Sequence, residues 1–542
     1  MLKVKELFED KERIDIESYL NKKGIDDVRE FLKPTKKSVE DFNLYDNMDK
    51  GYNLIKKYLN KKIYLIVDCD VDGFCSSAIM FKYLKYLNKD ANIEIFIHKG
   101  KLHGLDDREI VDKMIEPSLI ILPDASGEYK VCEELHNKGF EILSIDHHDN
   151  EPHEYITMIN AHFCKNKELL NNNGSGTATT YQFLRYLDKK LGLSYSKEML
   201  DFVMIGNISD SMNMNNYYNR AYNYYGFKSP KHKFINKMFE EFKVEPNPTS
   251  VSFNLAPKIN AVIRSDENEL KHDLFIAMLD VLPDYAEDEI IKRCKQCHKV
   301  QQKNVSKYKS ILLEQCGEND NIILIKNNDL PSSLTGLLAN TLMSATNKPV
   351  VIVKDDLIGS MRSPIPIKDI FNSSDDCDWC KGHESAAGIK IKNFELFKDY
   401  CLSLKLDLDK EKQVLKSFNV GDIPVYLWGY FDSFLDLFGT DLEEPQFEIK
   451  DIKINGKDIQ EIGRSKTTIK FRVGDVTFIK FFCSSDWKKV HHIGEDVEMD
   501  LSVIGKLQIN EYEGNTSKQI LIDDLDVKLE KELNFDDFFI DK

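Results

Sequence analysis

The sequence predicts an α/β protein that ends in a separate β-domain. From about residue 61 to 210, strand-like apolar runs alternate with helix-like runs, which indicates a parallel sheet with helices on both faces. A later stretch has helical spacing and contains no Pro or Gly. After this stretch, the alternation of strands and helices restarts with IILIKN and PVVIVK. From about residue 415, five strand-like runs follow one another. We therefore expect two α/β domains joined by a long helix, and then a small all-β domain.

Changes in periodicity divide the chain into six predicted segments. They are a helical lead-in (1–60), a first α/β domain (61–285), a connecting helix (286–312), a second α/β domain (313–414), a β-domain (415–530) and an acidic tail (531–542). The five runs of the β-domain are short and separated by turn signals, which is typical of a small barrel of the OB type. The tail, ELNFDDFFIDK, is acidic and aromatic, and we expect it to be a flexible segment that docks on a partner.

The composition excludes several classes of protein. The chain has 542 residues, of which 42% are hydrophobic and 30% charged. No apolar run reaches the ~18 residues that a membrane span needs, so we expect no membrane association. The charged N-terminus lacks a signal-peptide core, which predicts a cytoplasmic protein whose 11 cysteines are reduced thiols. The net charge of −17 argues against loose coating of nucleic acid but is compatible with a local basic groove.

Acidic and histidine side chains follow directly after three strand-like runs, YLIVDCDVDG (Tyr64–Gly73), LIILPD (Leu119–Asp124) and ILSIDHH (Ile142–His148). The carboxyl ends of parallel strands open on a common crevice, where we expect these side chains to converge. The residues concerned are Asp68, Asp70, Asp72, Asp124, Asp146, His147 and His148. So many carboxylates cannot all stay ionised at close range without a cation. Mixed Asp and His ligands favour Mn²⁺ or Mg²⁺ over a structural zinc ion.

The order of these motifs, with several further segments, resembles the DHH phosphoesterase superfamily and within it the RecJ-type single-strand-specific exonucleases. DCDVDG, PDAS, DHH and IGNISDSM stand where that family has its four acidic motifs. FNLAPKINAVIR resembles its Pro-x-Ile-Asn-Ala-x-Gly-Arg signature, while GSMRS and KGHESAAG resemble the phosphate-binding motifs of its DHHA1 domain. DLFGTDLEEPQF resembles the segment that leads into its OB domain. The resemblance covers the chain from about residue 31 to 528.

The resemblance implies a two-metal site for phosphodiester hydrolysis. Asp124 would bridge two Mn²⁺ or Mg²⁺ ions, and Asp72, His147 and Asp210 would complete one of them. Asp70 with Asp68 would serve the other ion. His148 would act in catalysis by contacting the scissile phosphate or a bound water, and Asp146 would orient a histidine.

The resemblance also implies a set of residues that hold the substrate. These are Arg264, Asn260, Ser360, Arg362, Ser363, Gly382 and His383. Arginine suits bidentate binding of phosphate, serine hydroxyls donate to phosphate oxygens, and glycine permits close approach of the backbone. In the β-domain, Phe471, Phe478, Phe481 and Phe482 are available for base stacking, although aromatic residues on strands more often belong to a core.

Two Cys-x-x-Cys pairs suggest a second kind of metal site. Cys294 with Cys297, and Cys377 with Cys380, would form a structural zinc site if the long helix passed close to the second α/β domain. The alternative is that all four are reduced thiols with no metal.

These observations predict a monomeric, metal-dependent 5′→3′ exonuclease that hydrolyses single-stranded DNA in repair or recombination. The 5′→3′ polarity follows from the resemblance alone. A single-strand-binding protein or a helicase is the expected protein partner. Two alternatives remain open: a DHH-type phosphodiesterase of oligoribonucleotides or cyclic dinucleotides, and a non-catalytic RecJ-like replication scaffold. The complete set of acidic residues argues against the scaffold.

Overall fold

The structure, a computed structural model, describes residues 3–99, 102–164, 174–228, 230–314, 321–408, 411–464, 466–512 and 515–529. It divides into two compact units. The larger unit is Arg29–Leu408 with Gly439–Asp441, and the smaller one combines Met1–Val28, Asp409–Phe438 and Leu442–Lys542. The predicted tail at 531–542 lies outside the described residues, and the six predicted segment boundaries stay predictions.

The helices in chain order are α1 (Ile16–Lys22), α2 (Val28–Leu32), α3 (Met48–Tyr58), α4 (Val71–Leu87), α5 (Arg108–Lys113), α6 (Tyr129–Asn137), α7 (Gly176–Leu191), α8 (Leu200–Ser209), α9 (Tyr217–Lys228), α10 (Lys233–Phe242), α11 (Pro248–Ser250), α12 (Ala256–Ile263), α13 (Asn268–Met278), α14 (Asp284–Leu313), α15 (Thr335–Thr346), α16 (Lys368–Asn372), α17 (Phe394–Ser403) and α18 (Ser485–Val490). The strands are β1 (Val4–Glu6), β2 (Lys62–Val67), β3 (Asn92–Ile97), β4 (Leu119–Pro123), β5 (Glu141–Asp146), β6 (Thr157–Asn160), β7 (Ile323–Lys326), β8 (Val350–Val353), β9 (Ile358–Arg362), β10 (Cys377–His383), β11 (Ala386–Ile391), β12 (Lys412–Val414), β13 (Ser417–Asn419), β14 (Phe447–Asn455), β15 (Gln460–Ile462), β16 (Thr468–Val473), β17 (Val476–Lys480), β18 (Glu498–Tyr512) and β19 (Asn515–Leu529).

The first sheet of the larger unit is parallel throughout and has the strand order β3-β2-β4-β5-β6. This confirms the predicted parallel sheet. The chain leaves β2 in one direction to form β3 and then crosses back to form β4, so the strand order switches between β2 and β4. In open α/β sheets the crevice at the carboxyl ends beside such a switch is the usual ligand site.

The two faces of this sheet bury different cores because successive strand residues point to opposite sides. On β2, Ile63, Leu65 and Val67 pack into a core with helices α4, α7 and α8. Tyr64 and Ile66 pack on the other face into a core that includes residues of α5 and α6. All five side chains are fully buried, and a buried side chain of this size stabilises the fold by about 1.5–3 kcal/mol.

The second sheet of the larger unit has the order β10-β11-β9-β8-β7, in which β7 and β8 are parallel and the other pairs antiparallel. The predicted connecting helix is present as α14, whose 30 residues extend over about 45 Å. Earlier in the chain, a π-helical turn at Val251–Leu255 leads into α12. π-turns interrupt helices mostly where a side chain must be re-aimed at a functional site.

The smaller unit contains a two-stranded parallel sheet, β1 with β12, and a mixed seven-stranded sheet with the order β13-β14-β18-β19-β17-β16-β15. The five predicted strand runs are confirmed as β14 and β16 to β19. The expected barrel is not closed by hydrogen bonds in the described residues, since β13 and β15 form the two edges. Both edge strands have only three residues, which leaves little backbone for them to pair with each other.

The four phenylalanines of the β-domain divide into two pairs. Phe471 and Phe478 are buried and stack on each other with centroids 4.7 Å apart, so they belong to the core. Phe481 and Phe482 are exposed, and Phe482 has a positive φ of 61° that is rare for a bulky residue. Of the helices in the described residues, none has the length and apolar composition that crossing a bilayer requires.

Candidate metal centre

The DCDVDG segment places three carboxylates where β2 ends and α4 begins. Asp68 directly follows β2 and is 1% exposed. Asp70 is the N-cap of α4 and accepts a hydrogen bond from the backbone N–H of Gly73 at 3.0 Å. Asp72 lies in the first turn of the same helix and is also buried. The three carboxylates thus lie within five residues of the end of β2, and the capping of α4 holds the middle one, Asp70.

Asp124, directly after β4, has a left-handed backbone conformation with φ 63°. Its N–H donates to the carbonyl of Ile145 at 2.7 Å, which fixes the backbone against the neighbouring strand β5. The start of α7 passes so close that a Cβ at Gly176 would lie 2.2 Å from Asp124 Oδ1. Only glycine at this helix position leaves room for the carboxylate.

The N-terminus of α7 also holds Asp72. The backbone N–H groups of Gly176 and Thr177 donate to its carboxylate at 2.6 and 3.1 Å, and the Thr177 hydroxyl donates to Oδ1 at 2.5 Å. A Cβ at Gly206 on α8 would lie 2.3 Å from the same oxygen. Sequence reasoning missed these partners, although the GSGTATT run has the small and hydroxylated residues of an anion-binding helix start.

Three buried polar atoms converge and have no hydrogen-bond partner among the described residues. They are Asp124 Oδ1, His147 Nε2 and Asp210 Oδ2. His147 Nε2 lies 3.3 Å from each of the two carboxylate oxygens. Buried polar atoms are nearly always satisfied, so three unsatisfied acceptors and donors facing one point indicate a missing partner. Carboxylate oxygens with an imidazole nitrogen form a donor set that suits a divalent cation, so the residues fit the expected metal.

The structure brings together all six residues predicted as metal ligands. Asp72, His147 and Asp210 form one group whose ligand atoms lie within 4.8 Å of one another, and Asp68, Asp70 and Asp124 form another. A third group joins Asp124 to His147 and His148. Asp124 is shared by the second and third of these groups, and His147 by the first and third. The binding of metal by these residues stays a prediction.

The pKa values reflect the crowding of the carboxylates. Burial, with the charges of Asp210 and Asp70, raises the pKa of Asp72 to about 7. Burial, then the neighbouring carboxylates, raises the pKa of Asp124 well above its usual range. Burial, with the charge of His148, lowers the pKa of His147 to about 4, so this imidazole is neutral at pH 7. A neutral imidazole is the form that binds a cation.

Asp146 and His148 form a pair at the end of β5. Asp146 Oδ1 accepts hydrogen bonds from the backbone N–H groups of His147 and His148 at 2.8 and 3.2 Å, and it lies 2.8 Å from His148 Nδ1. Asn150 donates to Oδ2 at 2.8 Å. Burial opposes protonation of His148, but the Asp146 carboxylate outweighs it and the pKa of His148 rises to about 10. The histidine is therefore protonated, with Nε2 free of this pair.

Two arginines from separate segments meet at a cavity of about 270 Å³. Arg264 follows α12 and Arg362 ends β9, and both line the cavity together with Asn260. Burial, with the charge of Arg264, lowers the pKa of Arg362 to about 10. Asn260 Oδ1 is buried and has no hydrogen-bond partner among the described residues. The cavity also reaches Ser209 and Ser211, which flank Asp210, so it adjoins the acidic cluster.

The other predicted substrate residues, Ser360, Ser363, Gly382 and His383, do not line this cavity. Ser360 lies 3.0 Å from Thr335, at the start of α15. Ser363 is 5% exposed and accepts a hydrogen bond from the N–H of Ile365 at 3.2 Å. Gly382 has a φ of 127° that only glycine adopts readily, and it precedes His383. His383 Nε2 lies 3.6 Å from Asp210 Oδ1, which links the second sheet to the acidic cluster.

The four cysteines of the expected zinc site are not brought together. Cys294 is buried in the core that contains β2 and α4, and Cys297 packs at its margin. Cys377 and Cys380 are buried in the separate core of the second sheet. The cation-binding groups found in the described residues contain none of the four. The apolar faces of the two sheets enclose these thiols separately, and this keeps the two pairs apart.

We expect the Gly176→Ala variant to lose affinity for Mn²⁺ by about tenfold or more, because the new Cβ displaces the Asp124 carboxylate. Isothermal titration of the metal-free protein measures this. Gly421→Ala is the control, since a Cβ there meets no atom within 4 Å. Equal Mn²⁺ affinities of the two variants would contradict the close contact.

The Asp146–His148 pair predicts a dependence on pH. Because the pKa of His148 is raised to about 10 from an unfolded value of ~6.5, the pair stabilises the fold fully below about pH 6.5. That stabilisation is lost as the pH rises through about 10. Imidazole ¹⁵N NMR of the metal-free protein should show His148 titrating near pH 10, and in Asp146→Asn at or below 6.5. A midpoint that does not move in Asp146→Asn would refute the pairing.

Comparisons with known proteins agree with the fold and the motifs. The family model "DHH family, N-terminal domain" matches residues 62–207, and "RecJ OB domain" matches residues 432–524. A putative SPbeta prophage-derived single-strand DNA-specific exonuclease, YorK of Bacillus subtilis, is 31% identical over 95% of this chain and 97% of its own length. The single-stranded-DNA-specific exonuclease RecJ of the same species is 24% identical over 94% of this chain and 67% of its own.

Solved structures show the same architecture. The crystal structure of RecJ from Thermus thermophilus in complex with Mn²⁺ has a TM-score of 0.75 and 21% identity, and the match covers 92% of this chain and 74% of that one. The complex of the same enzyme with Mg²⁺ has a TM-score of 0.69. The expected resemblance, inferred from the acidic motifs and the PKINAVIR and GHESAAG segments, is thereby confirmed. The chain belongs to the RecJ-like branch of the DHH phosphoesterase superfamily.

Proposed function

We propose that this protein is an exonuclease that hydrolyses single-stranded DNA with divalent cations. The observation that carries the proposal is the convergence of Asp124 Oδ1, His147 Nε2 and Asp210 Oδ2, all buried and unsatisfied, beside a cavity with two arginines. The acidic cluster suits a cation and the arginines suit a phosphate, so the two halves of a phosphodiester reaction lie side by side. The names and metal-bound structures of the relatives support the same reading.

The cation site would take two ions, Mn²⁺ or Mg²⁺. Asp72, His147 and Asp210 would hold one ion, Asp68 and Asp70 the other, and Asp124 both. When bound, the ions would lower the pKa of an attacking water and neutralise the charge that develops on the phosphate.

His148 would assist as a proton-bearing group rather than as a base. Asp146 keeps its ring protonated and fixes it through Nδ1, and the side chain is 42% exposed. Nε2–H can therefore donate a hydrogen bond to a non-bridging oxygen of the scissile phosphate. A charged donor at this place becomes more favourable as negative charge builds on the phosphate, which lowers the barrier.

Arg264 and Arg362 would hold a phosphate of the strand next to the scissile one. Their like charges lie close enough to lower the pKa of Arg362, and a bound phosphate removes that repulsion. Asn260 and His383, with Ser360 of β9 and Ser363 just after it, would complete this binding surface. In the smaller unit, the exposed Phe481 and Phe482 offer faces on which bases would stack.

Polarity, biological role and partners belong to the same proposal. Attack from the 5′ end and a role in repair or recombination are inferred from family resemblance. A single-strand-binding protein or helicase as partner, a monomeric state and a cytoplasmic location stay predictions. We also propose the six sequence segments as domains, with chemistry in 61–285, strand binding in 313–414 and auxiliary binding in 415–530.

Purified protein with Mn²⁺ should shorten 3′-labelled single strands progressively and release mononucleotides from 5′-labelled ones. Asp124→Ala should reduce the rate by about 100-fold or more, because it removes a residue shared by two of the groups. Asp112→Ala, which changes an exposed helix carboxylate, is the control. Attack from the 3′ end alone would overturn the polarity. Turnover of dinucleotides without processing of long strands would favour the small-substrate alternative, and no hydrolysis at all would favour a scaffold.

Arg362→Gln should weaken binding of single-stranded DNA and reduce the slope of log affinity against log salt by about 0.7, because one phosphate contact is lost. Fluorescence anisotropy in Ca²⁺, across a salt series, measures both quantities. Arg108→Gln is the matched control, since this exposed arginine is paired with Glu134 on α6. An unchanged salt slope in Arg362→Gln would remove the arginine from the binding surface.

A further inference from the structure

Beside the acidic cluster lies a further group of potential ligands, of which the proposed reaction uses only Asp68. Asp68, Cys69 and His103 each offer one ligand atom, and these atoms lie within 4.8 Å of one another. His103 belongs to the loop between β3 and α5, and nothing in the motif pattern marks it. In the sequence, Cys69 lies between two predicted metal ligands, Asp68 and Asp70. Its sulfur contacts the ring of His103.

The three ligand atoms lie about as far apart as the ligands of one zinc ion, but the imidazole must turn so that one ring nitrogen, and not both, faces the sulfur. Cys69 Sγ lies 3.7 Å from both ring nitrogens of His103. With Zn–S near 2.3 Å and Zn–N near 2.0 Å, two ligands of a tetrahedral zinc ion are separated by about 3.5 Å. Asp68 Oδ2 lies 2.8 Å from His103 Nδ1, which is slightly closer than two such ligands would be and needs only a small opening.

The loop that carries His103 is held in place by its backbone. Gly104 has a φ of 49°, and a Cβ there would lie 1.9 Å from the carbonyl oxygen of Ser126. Leu105 N–H donates to that same carbonyl at 3.2 Å, and Gly104 N–H donates to Asp68 Oδ1 at 3.3 Å. The imidazole is therefore presented to Asp68 and Cys69 by a defined turn.

His98 is the candidate for a fourth ligand, because one of its two ring nitrogens has no hydrogen-bond partner among the described residues. His98 is 2% exposed, its Nδ1 faces Asp107 at 3.4 Å, and its Nε2 is buried with no hydrogen bond among the described residues. Burial lowers the pKa of His98 and the Asp68 carboxylate opposes that shift, so this ring lies within electrostatic reach of the group. A carboxylate on one ring nitrogen with the other left free is the arrangement found behind metal-binding histidines.

We propose that Asp68, Cys69 and His103 form a site for a borderline-soft cation, Zn²⁺, which shares Asp68 with the acidic cluster and has His98 as a candidate for a fourth ligand. Sulfur and imidazole ligands select zinc over the hard cations Mn²⁺ and Mg²⁺, which the carboxylate-rich cluster favours. His103 is 60% exposed, so the ion has access from solvent. Binding releases to solvent the thiol proton of Cys69 and one ring proton of His103, which is ion-paired with Asp68 before the ion binds.

Zinc at this site would inhibit the nuclease. Asp68 belongs both to this group and to the group with Asp70 and Asp124. Because one carboxylate cannot bind two cations with its full affinity for each, zinc here weakens the binding of the catalytic cation. The inhibition rests on the proposed function, whereas the binding site does not.

Cobalt substitution tests the site directly, because a thiolate bound to Co²⁺ gives a near-ultraviolet charge-transfer band that carboxylate and imidazole ligands do not. Metal-free full-length protein should develop this band on titration with Co²⁺ and lose it when Zn²⁺ is added. Cys69→Ser should abolish the band, and Cys75→Ser, which changes a buried cysteine of α4 outside the group, should retain it. His103→Gln, at an exposed position that tolerates substitution, should weaken Zn²⁺ binding by about tenfold or more.

No band in the wild type, or a band that persists in Cys69→Ser, would overturn the site. In the second arm, Zn²⁺ is added to the Mn²⁺-dependent nuclease reaction and each variant is scored against its own zinc-free rate. His103→Gln should need about tenfold more Zn²⁺ for half-inhibition than the wild type. A normal band without any nuclease activity would refute the proposed function and leave the zinc site standing.

Discussion

The mutual repulsion of buried carboxylates is the constraint on which the rest of this structure depends. Asp68, Asp72 and Asp124 are each no more than 2% exposed, and Asp210 faces them at the cluster. Like charges at this distance in a low-dielectric environment are costly, and burial with repulsion raises the pKa of Asp72 to about 7. A cation removes the cost.

The surrounding fold holds the carboxylates in place despite this repulsion. The N-terminus of α7 donates to Asp72, the strand neighbour Ile145 fixes Asp124, and Gly176 leaves space for the Asp124 carboxylate. Helix N-termini stabilise negative charge through their free N–H groups and their dipole. These contacts come from elements that the sequence separates by 20 to 100 residues. The site is preorganised by backbone rather than by paired side chains.

Charged side chains also link the two sheets of the larger unit. His383 approaches Asp210 from the second sheet, and Arg362 meets Arg264 at the adjoining cavity. The acidic cluster and the arginine pair therefore present opposite charges on adjoining surfaces. At the end of β5, the ion pair with Asp146 holds a protonated His148 close to Asp124 of the cluster. The Cys69 thiol and the His103 imidazole belong to the proposed site that prefers Zn²⁺.

The sequence by itself determined the strands, the acidic motifs and the family. Buried parallel strands are continuous apolar runs, and Asp68, Asp124 and Asp146 stand at their ends, so convergence follows from the topology of parallel sheets. Only the tertiary structure decided which residues reach this site from elsewhere, such as Gly176, Thr177 and His103, because their partners are distant in the chain. It also separated the two cysteine pairs, left the β-domain open at its three-residue edge strands and buried Phe471 while exposing Phe482. Local pattern determines which elements form, whereas packing determines which side chains meet.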